Sequence, residues 1–154
     1  MSTHYKGSIR EQDVLNTWIK LTRAHDSVGR VLKTNLDSSR ITMTQFGVLE
    51  ILEHLGPQTL KIIGEKILLT SSNLVTVVDN LERDGYVVRT QNPQDRRSII
   101  VSLTGEGKLA IKPIFESHLQ ELMIAFECLS SDELQILGDL CKKLGHNQNI
   151  KEKK

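Results

Sequence analysis

The stretch "SSNLVTVVDNLERDGYVV", Ser71 to Val88, constrains the fold of this chain more than any other. Leu74, Val77, Val78 and Leu81 fall at i, i+3, i+4 and i+7, which makes one narrow apolar stripe on a helix from about Ser71 to Asp84. The small hydroxyl residues of "LLTSSN" just before it favour a turn and a cap over a continuing helix. Gly85 is a natural C-terminal stop, and a β-branched run follows at once. A short helix must therefore bury one face and hand over directly to an extended strand.

The elements around this stretch fit one arrangement. Asp13 to Leu36 reads as a long helix, with Val14, Trp18, Leu21, Val28, Leu32 and Leu36 on a broad apolar face. That face is long for one small globule, so part of it is expected to pack on another chain. Thr42 and Gln45 have capping-box spacing and start a helix that should stop near Gly56-Pro57. A short helix follows from about Thr59 to Leu68. After Gly85, "YVVRTQ" and "SIIVSL" flank "NPQDRR" and read as a hairpin. Thr104 then caps a long helix through about Phe126, with Pro113 as a candidate kink. Ser130 and Glu133 form a second capping box, starting a helix through Leu144, and the tail "GHNQNIKEKK" reads as frayed.

Two short helices, a small-residue turn and a hairpin directly after the second helix make a winged helix-turn-helix. The fold class is therefore mainly α with a small β-hairpin wing, flanked by long terminal helices. Opposite the apolar stripe lie Ser72, Thr76, Asp79 and Arg83, with Ser71 and Asn73 in the first turn and Val75 on the flank. Small polar side chains of this kind can enter a major groove and bond base edges or phosphates, and Val75 suits a thymine methyl. First-turn N–H groups can also hold a phosphate oxygen. At the wing tip, Arg96 and Arg97 supply the cations that a minor groove or its phosphates would meet, and Asp95 can hold a neighbouring guanidinium.

Bulk charge does not announce a nucleic-acid partner. The formal net charge is +1. From Leu60 to Thr104, Lys61, Lys66, Arg83, Arg89, Arg96 and Arg97 face Glu65, Asp79, Glu82, Asp84 and Asp95, six against five. DNA binding must rest on where the charges sit.

The segment "DRRSIIVSLTGEG" resembles the D-x-R-x5-L-T-x-x-G pattern of the MarR family of bacterial transcription regulators, with Asp95, Arg97, Leu103, Thr104 and Gly107 in register. "LLTSSNLVTVVDNLERDGYVVR" is similar to the family's recognition-helix segment. The resemblance covers roughly residues 41–108, and "KILLTSSNLVTVVDNLE" is similar to the branch that includes catechol- and quinone-responsive regulators. It implies a homodimer on pseudo-palindromic double-stranded DNA, mostly a repressor, released by a small and often phenolic or anionic ligand. It also implies a helical dimerisation region (1–36 plus 105–154) intertwined with a DNA-binding region (37–104). By position, Ser71, Ser72, Asn73, Val75 and Thr76 fall in the base- and phosphate-reading segment, and Asp95, Arg96 and Arg97 in the wing. Ser72 stands where a Gly is frequent in that branch. The family's ligand pocket points at Trp18, Thr22, His25, Met43, Phe46 and Ile111. Trp18 and His25 are two turns apart on one face, a candidate aromatic stack with a polar handle.

The remaining features argue against other classes. No apolar run approaches the roughly 18–20 residues of a membrane helix, and the polar N-terminus lacks a signal-peptide core, so a cytoplasmic location is expected. Cys128 and Cys141 form no CxxC pair and read as two reduced, buried thiols. "TGEGK" falls short of a P-loop, because Ser102 stands at the first Gly and Leu109 follows the Lys. With the five histidines scattered, neither an enzyme nor a cofactor is indicated. The rival reading is a winged-helix module that binds another protein through the same hydroxyl face.

Overall fold

The structure is a computed structural model that describes the backbone of residues 3–39, 41–67 and 71–151 and the side chains of 3–32, 41–67, 72–146. Helix α1, Ile9–Ser39, begins earlier than the apolar pattern implies. The reason is Ser8, whose backbone N–H donates to the Glu11 carboxylate at 2.7 Å while its hydroxyl accepts the Glu11 amide at 3.4 Å. This reciprocal cap satisfies two donors of the first turn. The Glu11 carboxyl is held below its ordinary value by these bonds from Ser8.

Helix α2, Met43–Leu55, starts on the expected capping box. Thr42 N–H donates to Gln45 Oε1 at 2.9 Å, and Gln45 N–H donates to Thr42 Oγ1 at 3.2 Å. Gly56, at φ 71°, ends it. Next comes a strand that the residue pattern did not reveal, β1, Gln58–Thr59. Helix α3, Leu60–Ile67, and helix α4, Ser71–Arg83, complete the helix-turn-helix. The α4 stop is a full Schellman motif. Tyr86 N–H reaches the Leu81 carbonyl at 2.9 Å and Gly85 N–H the Glu82 carbonyl at 3.0 Å, with Gly85 at φ 80°.

The hairpin consists of β2, Val87–Gln91, and β3, Ile99–Leu103. The sheet order is β1-β3-β2, antiparallel throughout, with Arg89 opposite Val101 and Thr59 opposite Ile100. Helix α5, Gly105–Ala125, carries Pro113 without breaking, and α6, Ser131–Lys151, runs on through the segment expected to fray. Gly145 does not stop α6, since it lacks the positive φ that Gly56 and Gly85 adopt.

The core lies inside the winged unit. Phe46, Val48, Leu49 and Leu52 of α2 meet Ile63 of α3, Leu74, Val78 and Leu81 of α4, Val87, Val101, and Ile111 of α5, all buried. Each large side chain buried this way contributes about 1.5–3 kcal/mol. Thr104 locks the junction below it. Its N–H donates to the Tyr86 carbonyl at 3.0 Å, its hydroxyl donates to the Gly85 carbonyl at 2.7 Å, and its Oγ1 accepts the Gly107 amide at 2.9 Å. A Cβ at Gly107 would collide with the Tyr86 carbonyl oxygen, so only glycine lets α5 approach the α4–β2 turn. The Leu103-Thr104 and Gly107 positions thus have a mechanical reason for their spacing.

The terminal helices differ from this centre. Helix α1 packs on α5, yet Val14 and Trp18 stay exposed. Every described side chain of α6 is exposed, Leu134, Ile136, Leu137, Leu140 and Leu144 among them. Both cysteines are exposed as well, which corrects the buried placement expected for them. Cys141 rides the uncovered α6 and Cys128 lies in the turn before it, so neither has a core to enter. Among the described residues, no helix is long and apolar enough to cross a membrane.

Candidate nucleic-acid interface

Helix α4 presents two opposite faces because its apolar residues recur at helical spacing. Leu74, Val78 and Leu81 are buried, while Ser72, Asn73, Val75 and Thr76 are exposed. The Thr76 hydroxyl donates back to the Ser72 carbonyl at 3.3 Å, which leaves its lone pairs outward. Ser71 begins the helix, but its side chain lies outside the described residues.

The wing tip is a tight turn between Asn92 and Ser98. Asn92 N–H reaches the Ser98 carbonyl at 3.1 Å, and Ser98 N–H the Asp95 carbonyl at 2.9 Å. Asp95 Oδ1 accepts the backbone N–H of Arg97 at 3.1 Å, whereas its distance to the Arg97 guanidinium is 3.7 Å. Asp95 therefore shapes the turn more than it grips the guanidinium, and the Arg97 side chain projects outward, 96% exposed. Arg96 is also exposed and makes no ion pair among the described residues.

Arg89, which sequence reasoning passed over, joins the two parts. Its guanidinium lies 2.6 Å from Asp79 Oδ1 and 2.8 Å from Glu82 Oε2, and its backbone N–H donates to Glu82 Oε1 at 3.0 Å. The side chain is only 21% exposed. Strand β2 is thereby fastened to α4 by charge-assisted bonds. The consequence is electrostatic as well as mechanical. Asp79 and Glu82 share the single positive charge of Arg89, and Asp84 pairs with Arg83 at 3.1 Å. Asp79, Glu82 and Asp84 are thus engaged by arginines within the segment, and the wing-tip arginines face outward. No local spacing announces Arg89, because the pairing exists only once the chain reverses at Gly85.

The predicted ligand residues do not gather in one place. Trp18 is 62% exposed and lines a cleft of about 310 Å³ between the N-terminal half of α1 and Leu144 of α6. Thr22 donates its hydroxyl to the Trp18 carbonyl at 3.0 Å. His25 lies beside Asp26 at 3.3 Å with its side chain 84% exposed. Met43 is exposed, whereas Phe46 and Ile111 are core residues. Phe46 instead packs on the His118 ring of α5, with centroids 4.6 Å apart. His118 Nδ1 and Glu121 Oε2 are buried without a hydrogen-bond partner. Both were missed, since a His and a Glu three residues apart on a long helix usually form a solvated face.

Known proteins share this layout. The family model described as "MarR family" matches residues 41–99. The chain is similar to the uncharacterized HTH-type transcriptional regulator YkoM of Bacillus subtilis (strain 168), 37% identical over 147 residues, covering 93% of this chain and 96% of that one. It is 34% identical over 133 residues to the HTH-type transcriptional regulator MhqR of the same strain, covering 86% and 92% of the two chains. A mutant MarR from E. coli, solved in complex with operator DNA, superposes with a TM-score of 0.76 at 22% identity, covering 90% of this chain and 99% of that one. At that identity the superposition speaks for the fold alone.

Proposed function

The chain belongs to the MarR family of transcriptional regulators, and from that premise we propose a homodimeric cytoplasmic repressor that grips pseudo-palindromic DNA and lets go when a small aromatic or anionic ligand binds. Ser71, Ser72, Asn73, Val75 and Thr76 read or position on the major groove. Arg97 enters the minor groove, with Asp95 holding its turn and Arg96 on a phosphate. The observation that carries this reading is the Arg89 clamp. It ties strand β2 of the wing to α4 and offsets part of the acidic charge that would repel phosphates.

The dimer reading rests on α6. Five large apolar side chains on α6 are exposed, and a second copy is the partner the family resemblance implies. Residues 1–36 and 105–154 then form the dimerisation region around the DNA-binding 37–104. For the effector, His118 is a better polar anchor than His25. Its buried Nδ1 is unsatisfied and lies against Phe46, whereas His25 faces solvent. Trp18, Thr22 and Met43 would line the approach from α1 and α2.

The test begins with genome-wide mapping of bound sites, followed by titration of the recovered duplex at several salt concentrations. A reader of DNA backbone loses affinity with a slope of about −0.9 per phosphate neutralised. Arg97→Ala should weaken binding and shallow that slope. Salt-independent binding, or a variant with wild-type affinity, would leave the protein-binding module as the better reading.

A further inference from the structure

Beside the wing tip, a cleft of about 430 Å³ opens between the start of α3 and the Asp95–Ile99 segment. Thr59, Leu60 and Lys61 form one wall, and Asp95, Arg97, Ser98 and Ile99 the other. Lys61 is exposed and makes no ion pair among the described residues. Thr59 Oγ1 accepts the Ile62 amide at 3.4 Å, and Ser98 Oγ accepts from Asn92 Nδ2 at 3.0 Å. Each hydroxyl uses a lone pair there and keeps its own proton to donate. Asp95, the acid in the cleft, is turned to the Arg97 backbone. Two cations and two free O–H donors around one opening form a seat for an oxyanion.

Resting on the DNA-binding reading above, we infer that this cleft seats one backbone phosphate flanking the minor groove that the wing enters, with Lys61 as its cation and Thr59 and Ser98 as hydroxyl donors. The first helix of a helix-turn-helix crosses the backbone, and Lys61 stands in its first turn. Strand β1 then has a purpose. By pairing Gln58 with Val101 and Thr59 with Ile100, it fixes the start of α3 to the wing. Lys61 therefore keeps a set distance from Arg97, as simultaneous contact with a phosphate and its adjoining groove requires. A phosphate contact positions the protein without reading sequence, so Lys61 serves affinity and register only.

The experiment uses the full chain and a duplex carrying a site selected in vitro by the wild-type protein, with anisotropy titrations across KCl concentrations. Lys61→Ala is expected to weaken selected and mutated sites by the same factor and to shallow the salt slope by about 0.9 per protomer, and Lys61→Arg to restore both. A single methylphosphonate at the seated phosphate should weaken the wild type by a larger factor than it weakens Lys61→Ala. Lys61→Ala with wild-type affinity and slope, while Arg97→Ala binds weakly, would overturn this inference and leave the DNA-binding reading standing. A wild type that binds no duplex in a salt-dependent way would sink both.

Discussion

Leu81 and Leu140 are the same side chain with opposite fates. Leu81 is fully buried in the winged unit, where α2, α3, α4, the sheet and the first turns of α5 close on one another. Leu140 stands in water on α6 with four other large apolar residues. The winged unit completes its core within one chain, whereas the terminal helices carry an apolar surface that one chain leaves open. Local patterning made both faces, but only the first has its cover encoded nearby. On the proposed reading, the protein divides its stability between a winged reading head and a pairing surface that depends on concentration.

The sharpest way to break that division is to charge the open face. Leu137→Asp combined with Leu140→Asp should abolish pairing while circular dichroism shows an intact helical protomer. Loss of the second head would cost about 10²–10⁴-fold in DNA affinity, the usual gain from linking two binding events. A dimer that survives both charges would end the distinction. Next in size is the opposite substitution. Leu81→Ala should destabilise the chain by about 2–5 kcal/mol in denaturant unfolding, whereas Leu140→Ala should alter only the concentration dependence of assembly.

A smaller effect belongs to the link between α4 and the wing. Arg89→Met keeps the bulk of the stem but leaves Asp79 and Glu82 unpaired near the proposed DNA face. With both acids partly solvated, the stability loss should be about 1 kcal/mol. The DNA affinity should fall further than that, and adding Asp79→Asn should recover part of it. Equal losses in stability and binding would mean that Arg89 is only a packing residue. The smallest effect is acid sensitivity at the helix starts. Bonds from Ser130 hold the Glu133 carboxyl below its ordinary value of 4.5, as those from Ser8 do for Glu11. A carboxyl with a depressed folded value stabilises at higher pH, and the benefit is lost as pH falls through that value. Amide exchange in the first turns of α1 and α6 should accelerate below pH 4.5 before exchange in α4 does.

The same contrast governs what was legible in the residues. Caps and stops are local, and Thr42 with Gln45, Ser130 with Glu133, Thr104 and Gly85 all lie where their spacing places them. Ser8 with Glu11 has the same spacing and was overlooked because the apolar pattern starts later. What depends on folding was not legible. Strand β1 is two residues long and exists only because β3 lies beside it. Arg89 reaches Asp79 across a chain reversal. The His118 contact with Phe46 joins α2 to α5, 72 residues apart in number but 4.6 Å apart in space. The exposed cysteines follow from the open face of α6.

The central claim is that two reading heads act together because the open face of α6 is closed by a second copy. Sedimentation equilibrium of the full chain, alone and on a duplex carrying one mapped site, tests this most directly. The account predicts a dimer in free solution and two chains per duplex, with the pair lost in the Leu137→Asp, Leu140→Asp protein. A monomeric chain that binds the duplex singly with full affinity would contradict it.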